Sequence, residues 1–270
     1  MRMKANKAEL ITHGFSGYLA VPYHPAGRGI VIILGGESVM MPLLKPGKWL
    51  AEYMAKKGFT AVSVSLFGAE GLPDSPDRIP LEYAVNAAEY LKKQMHCSRI
   101  SVFGMSMGSI AALGTALYSD VNDLVMMSPS HAAFEGVSKD KKTMTGHSFL
   151  TWKGQDIPYV SADIPRYPMY EAYEKAYADK EREEAAMKAL PVNEVKARIL
   201  FLAGSRDHSW PSEYSVHQLC RCLEQDERKH SYCKVIYPEY GHMLPLKKEV
   251  MKQVMEWLDE PASAHQKERI

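Results

Sequence analysis

The sequence predicts an α/β fold, a mainly parallel sheet with helices on both faces. Two observations carry that prediction. Short, continuously apolar runs recur along the chain, and stretches with apolar residues at helical spacing separate them. A strand buried on both faces reads as an unbroken apolar run, and alternation with helices is the mark of parallel crossovers.

Taken in order, Gly14 to Ala20 reads as one antiparallel edge strand. Gly29-Ile-Val-Ile-Ile-Leu34 is a fully buried strand ending in Gly35-Gly36. Trp49, Leu50, Tyr53 and Met54 recur at helical spacing, and Gly58 closes that helix as a C-cap glycine. Phe59 to Leu66 is the next strand, Gly71 to Pro76 a loop by its turn residues. A helix follows from about Pro80, with Leu81, Ala84, Val85, Ala88 and Leu91 on one face. Ile100–Phe103 is a strand, Ser109–Leu117 a helix and Asp123–Met127 a strand. Later come a strand at Arg198–Ala203, a helix at Ser212–Leu223, a strand at Cys233–Tyr237 and a helix from about Leu246 to Trp257.

One stretch breaks the alternation. Residues of about 135–191 carry aromatics and prolines (Phe149, Trp152, Tyr159, Tyr167, Tyr170), then a charged helix over Lys175–Lys188. A single domain over residues 1–270 with a cap-like insertion at about 135–191, resting over the sheet's edge, is therefore expected. The run Asp179 to Glu184 reads as a solvated helix face. The aromatic half suits either an acyl pocket or packing onto the core.

Composition narrows the function. Lys+Arg is 33 against Asp+Glu 32, a net charge of +1, which gives no electrostatic footprint for nucleic acid or an anionic membrane. The longest apolar runs are far short of the ~20 residues that a spanning helix needs. Met1-Arg-Met-Lys-Ala-Asn-Lys7 is followed by no apolar h-region, so a secretory signal is not expected and a cytoplasmic location is. The four cysteines, at 97, 220, 222 and 233, form no disulfide framework and read as thiols in a reducing compartment. No metal site or cofactor motif is expected.

Gly104-Met105-Ser106-Met107-Gly108 fits G-x-S-x-G. A predicted strand runs straight in and a helix-compatible segment runs out, the strand–turn–helix context that exposes a nucleophilic serine. Flanking glycines suit such a turn because a Cβ there would strike the neighbouring strand and helix. A serine hydroxyl is a poor nucleophile near neutrality and needs a base. His242, in Glu239-Tyr-Gly-His242 just after a late strand, is the candidate; His147 lies in the insertion. Asp207 follows directly on the strand ending at Ala203 and is the candidate to orient the imidazole; neither Asp163 nor Asp226 follows a strand. His131, His208 and His217 read as packing or pocket residues. Oxyanion donors are expected at the Met107 N–H and in the Gly-rich turn at Gly36, or Glu37 if the turn is tighter. The chain order Ser106, Asp207, His242 is that of the α/β-hydrolase fold.

Several stretches together resemble one family. Gly68 to Pro73, the elbow Gly104–Gly108, Leu190-Pro-Val-Asn-Glu194, Gly204 to Glu213 and Tyr237 to His242 look like the C-terminal domain of the acyl-CoA thioesterase/bile acid-CoA:amino acid N-acyltransferase family. The resemblance covers roughly Arg28 to Glu256, and Asp207-His-Ser-Trp-Pro-Ser-Glu213 is its most specific part. It implies a triad of Ser106, Asp207 and His242. With serine rather than cysteine as nucleophile, it also implies hydrolysis of acyl thioesters rather than transfer to an amino acid. Mammalian members carry a further N-terminal β-sandwich domain, whereas the first core strand here begins near residue 29. Alternatives are a carboxylesterase without coenzyme A specificity, an acyl-CoA:amino acid acyltransferase, and a non-catalytic binding protein on a hydrolase scaffold. A small acyl ester or thioester is the expected partner.

Overall fold

A computed structural model describes residues 7–35, 46–140, 142–164, 166–228 and 230–260. A short helix α1 (Lys7–Thr12) leads into β1 (Ser16–Ala20) and β2 (Arg28–Ile33), followed by α2 (Pro46–Lys56) and β3 (Thr60–Ser65). A two-residue strand, β4 (Ile79–Pro80), precedes α3 (Glu82–Lys93), β5 (Arg99–Met105), α4 (Gly108–Tyr118) and β6 (Asp123–Met127). Four short strands come next: β7 (Glu135–Val137), β8 (Met144–Ser148), β9 (Leu150–Trp152) and β10 (Gln155–Asp156). Helices α5 (Met169–Ala176) and α6 (Lys180–Ala189) complete that stretch. The chain then returns to β11 (Arg198–Gly204), α7 (Ser212–Glu224), β12 (Tyr232–Tyr237) and α8 (Lys248–Asp259).

The main sheet has seven strands in the order β1-β3-β2-β5-β6-β11-β12. All neighbours pair in parallel except β1, which lies antiparallel on the edge against β3. This is the α/β-hydrolase fold. Side chains alternate between the two faces as the strand period of two demands. Val31, Ile33, Phe201 and Ala203 pack with α3, α4 and α7, whereas Ile30, Ile32, Leu200 and Leu202 pack with α2 and α8. Helix α4 is buried from Gly108 to Ala116, which explains why its sequence is apolar all round.

At the amino ends of the strands a buried ion cluster anchors the last helix. Arg99 and Arg198 both bond the Asp123 carboxylate and donate to the Glu260 carbonyl, and Arg198 also reaches the Trp257 carbonyl. The arginines thus satisfy orphan carbonyls at the carboxyl end of α8.

The stretch between β6 and β11 leaves and re-enters through neighbouring inner strands. Two antiparallel hairpins, β7–β8 and β9–β10, form there, and β9 pairs with β4. Its aromatics pack on the core: Phe134 stacks on Phe149 at 4.1 Å, and Tyr173 sits edge-on to Trp210. Two expectations are corrected. The charged segment is not one helix over 175–188 but two, because the Asp179 side chain accepts from the Arg182 N–H and starts α6 afresh. Nor is Asp179–Glu184 a solvated face throughout: Glu183 is 4% exposed and turned inward.

Candidate active site

Strand β5 ends at Met105 and α4 begins at Gly108, so the chain must reverse within two residues. Ser106 makes that turn with φ of +59°, in the left-handed region. A non-glycine residue there carries about 1–3 kcal/mol of strain, which the surroundings must sustain. The flanking glycines have the steric reason expected of them. A Cβ on Gly104 would overlap Ala112 and the Gly108 carbonyl, and one on Gly108 would overlap the Ile33 carbonyl of β2.

The loops that carry Asp207 and His242 are stitched together beside this turn. Ser205 and Arg206 donate backbone N–H bonds to the carbonyls of Tyr237 and Tyr240, and a Cβ on Gly204 would overlap the Tyr240 carbonyl. The result is a continuous relay. Ser106 Oγ lies 2.9 Å from His242 Nε2, and His242 Nδ1 lies 2.9 Å from Asp207 Oδ2. The other Asp207 oxygen accepts from the backbone N–H groups of Ser209 and Trp210. In the tautomer whose Nδ1–H donates to Asp207, the Nε2 lone pair faces the serine hydroxyl. Asp207 is buried, whereas the His242 side chain keeps 14% exposure and Ser106 is half-buried. The constellation therefore meets solvent at its serine end. It could take a proton from Ser106 and hold the resulting imidazolium.

Met107 occupies the N-cap of α4, directly after Ser106, so its N–H lies at the positive end of that helix. Gly36 and Glu37 lie outside the described residues. Gly35, the last described residue of that turn, has φ of +108° and sits so close to Met107 that a Cβ would strike its side chain. The turn after β2 and the turn after β5 thus approach each other.

The remaining histidines fall elsewhere. His147 pairs with Asp156 on the surface, His208 is exposed, and His217 is half-exposed beside Glu213, so neither of the last two packs in the core. His131 is buried, and it belongs to a second serine–histidine–acid chain that the sequence did not announce. Its Nδ1 lies 2.9 Å from Ser215 Oγ and its Nε2 lies 2.9 Å from Glu183 Oε1. Burial pulls His131 below its ordinary value. Burial alone would raise the Glu183 carboxyl, but hydrogen bonds from His131, Lys180 and Tyr214 outweigh it and hold the group at about 2. Ser215 is fully buried, and the groove of about 420 Å³ between α6 and α7 is lined by His131, Glu183 and Tyr214 without reaching it. No substrate carbonyl can approach that hydroxyl. Among the described residues no group of three or more His, Cys, Asp or Glu could hold a metal ion, and no helix is long and apolar enough to cross a membrane.

A hydrolase-type sheet with a serine elbow defines the class, and comparison with known proteins narrows it. Residues 79–249 match the family described as BAAT / Acyl-CoA thioester hydrolase C terminal, and the chain belongs to that family. Acyl-coenzyme A thioesterase 1 of Homo sapiens is 26% identical over 239 residues, covering 84% of this chain and 52% of that protein. Mitochondrial acyl-coenzyme A thioesterase 2 of Homo sapiens is likewise 26% identical, with 84% of this chain and 45% of that protein covered. The chain thus spans about half the length of these relatives. Among solved structures, Pyrococcus horikoshii acylaminoacyl peptidase superposes with a TM-score of 0.58 at 17% identity, over 94% of this chain and 41% of its own. A thermostable carboxyl esterase from Bacillus coagulans gives 0.55 at 11% identity, over 90% and 91%. At such identities these two establish the fold alone.

Proposed function

We propose that this chain is a serine hydrolase that cleaves acyl thioesters or esters through an acyl-enzyme on Ser106, with acyl-CoA as the favoured substrate class. One observation carries the reading: a strained, solvent-reachable serine held 2.9 Å from a histidine whose far nitrogen is held by a buried carboxylate. Ser106 Oγ attacks the acyl carbonyl while His242 Nε2 takes its proton. Asp207 holds the imidazole in the reactive tautomer and stabilises the imidazolium. The oxyanion takes hydrogen bonds from the Met107 N–H and from the turn at Gly36. As the tetrahedral intermediate collapses, the carbon–sulfur or carbon–oxygen bond breaks and His242 returns its proton to the leaving thiol or alcohol. Water then repeats the sequence on the acyl-enzyme and frees the acid.

Family membership and the named relatives favour coenzyme A as the leaving thiol. We read the chain as one hydrolase domain whose segment 135–191 caps the site, acting on a small acyl substrate in the cytoplasm without nucleic acid or membrane insertion. Turnover of matched pairs tests the substrate class: one p-nitrophenyl ester and one acyl-CoA at each of several chain lengths, with Ser106→Ala as blank. A higher kcat/KM on acyl-CoA supports the thioesterase reading. Ester cleavage with negligible acyl-CoA turnover replaces it with a carboxylesterase, and product formation only with an added amino acid replaces it with an acyltransferase.

A further inference from the structure

The end of β6 and the residues just after it, Met127, Ser128 and Ser130, lie outside the triad yet touch all three triad loops. The Ser106 N–H donates to the carbonyl of Met127, the last residue of β6, at 3.1 Å. Ser109 Oγ donates to the Ser106 carbonyl at 2.6 Å and accepts the Ser130 N–H at 3.1 Å, so the elbow is tied to this segment from both sides. Ser128 Oγ donates to the His242 carbonyl at 2.8 Å. The Ser128 carbonyl accepts the Trp210 indole N–H at 2.9 Å, and the Trp210 backbone N–H in turn donates to Asp207. The Trp210 ring stands at 90° to the His242 imidazole with centroids 5.3 Å apart. The Ser128 N–H donates to the Leu202 carbonyl at 2.7 Å, which fixes the segment to β11 just before the acid loop.

Two further features set this segment apart from an ordinary strand exit. Ser128 has φ of +44°, a conformation that serine adopts only at a cost. Ser109, Ser128 and Ser130 are also completely buried, and all three hydroxyls are used. Every polar contact made by Ser128 goes to a backbone or indole group of the acid or base strand and loop. A residue placed merely to end β6 would need neither the strain nor the hydroxyl.

We infer that Ser128, with Trp210 and Ser109, is the positioning centre of the site: it sets where His242 and Asp207 stand relative to Ser106. The inference rests on Ser106, His242 and Asp207 being the reacting triad. Ser128 touches no substrate; it acts through the His242 backbone and through Trp210. Its loss lets the base loop drift while the fold stands. A misplacement of about 1 Å at a reacting group costs on the order of 100-fold in rate.

The test is the rate of inactivation by a fluorophosphonate, separated into kinact and KI, with melting temperature measured on each variant. Ser128→Gly is the informative substitution, because glycine accepts the positive φ while the hydroxymethyl group, and with it the bond to the His242 carbonyl, is lost. Trp210→Phe keeps a ring against His242 and removes the N–H, and it decides the matter should Ser128→Gly fail to fold. We expect kinact to fall about 10- to 100-fold in each variant, with KI and melting temperature close to wild type. A fall of less than fivefold in either variant that melts with the wild type overturns the inference. A wild-type chain that is not labelled at Ser106 removes the triad reading itself, and the positioning role with it.

Discussion

Among the described residues two serine–histidine–acid chains share the same separations, and the proposed function assigns the chemistry to one of them. In Ser106–His242–Asp207 and in Ser215–His131–Glu183 every serine–histidine and histidine–acid separation is 2.9 Å. The ring is used in opposite senses. His242 gives Nε2 to the serine and Nδ1 to the acid, whereas His131 gives Nδ1 to the serine and Nε2 to the acid. Ser106 stands on a strained turn facing solvent, whereas Ser215 lies within α7 and is sealed. Hydrogen-bond separations alone do not distinguish the two chains; access and backbone placement do, and on these Ser106 is the proposed nucleophile. The buried chain has its own use, since it fastens α6 and α7 to the segment leaving β6 and leaves no polar group of His131 unpaired.

The contrast can be broken at several points. Ser106→Ala is expected to lower kcat by roughly 10⁴- to 10⁶-fold without loss of fold, and Ser215→Ala to leave kcat within a few-fold of wild type. Steady-state kinetics beside circular dichroism checks both, and equal losses would erase the distinction. Asp207→Asn should preserve the geometry yet favour the wrong imidazole tautomer, lowering kcat by roughly 10⁴-fold. Gly108→Ala forces a methyl group onto the Ile33 carbonyl. Such overpacking costs about 1–3 kcal/mol, so denaturant unfolding should show a lower midpoint at unchanged slope.

The smallest effect sharpens the comparison through pH. The Glu183 carboxyl is held at about 2 in the folded chain against an ordinary 4.5. Its contribution is therefore full above about pH 4.5 and is lost as pH falls toward 2. His131 is depressed below its ordinary 6.5, so folding favours its neutral form and loses stability as pH falls below 6.5. Melting temperature should thus decline on acidification in two stages. Glu183→Gln should cost about 1–3 kcal/mol at pH 7 and shrink the stage below pH 4.5. An unchanged acid limb in that variant would show that Glu183 does not contribute to it.

Much of the candidate site was legible because its signals are local. G-x-S-x-G between an apolar run and a helix-compatible run can be read within a dozen residues, and Asp207 and His242 each lie in the loop that follows a strand. The edge strand near Gly14–Ala20 and the C-cap at Gly58, with φ of +92°, were readable for the same reason. What stayed hidden depends on contacts between distant segments. Glu183 looks like any residue of a charged helix until His131 and Tyr214, from two other segments, are seen to surround it. Ser128 and Trp210 are 82 residues apart, and nothing near either announces that one accepts from the other. The break between α5 and α6 was local yet missed, because charge periodicity masked the capping capacity of Asp179.

The most direct measurement is active-site labelling of the intact chain with a fluorophosphonate, followed by mass-spectrometric mapping of the modified peptide. The account predicts modification at Ser106, none at Ser215, and no labelling of Ser106→Ala. Labelling that persists in Ser106→Ala, or that maps to any other serine, would contradict it.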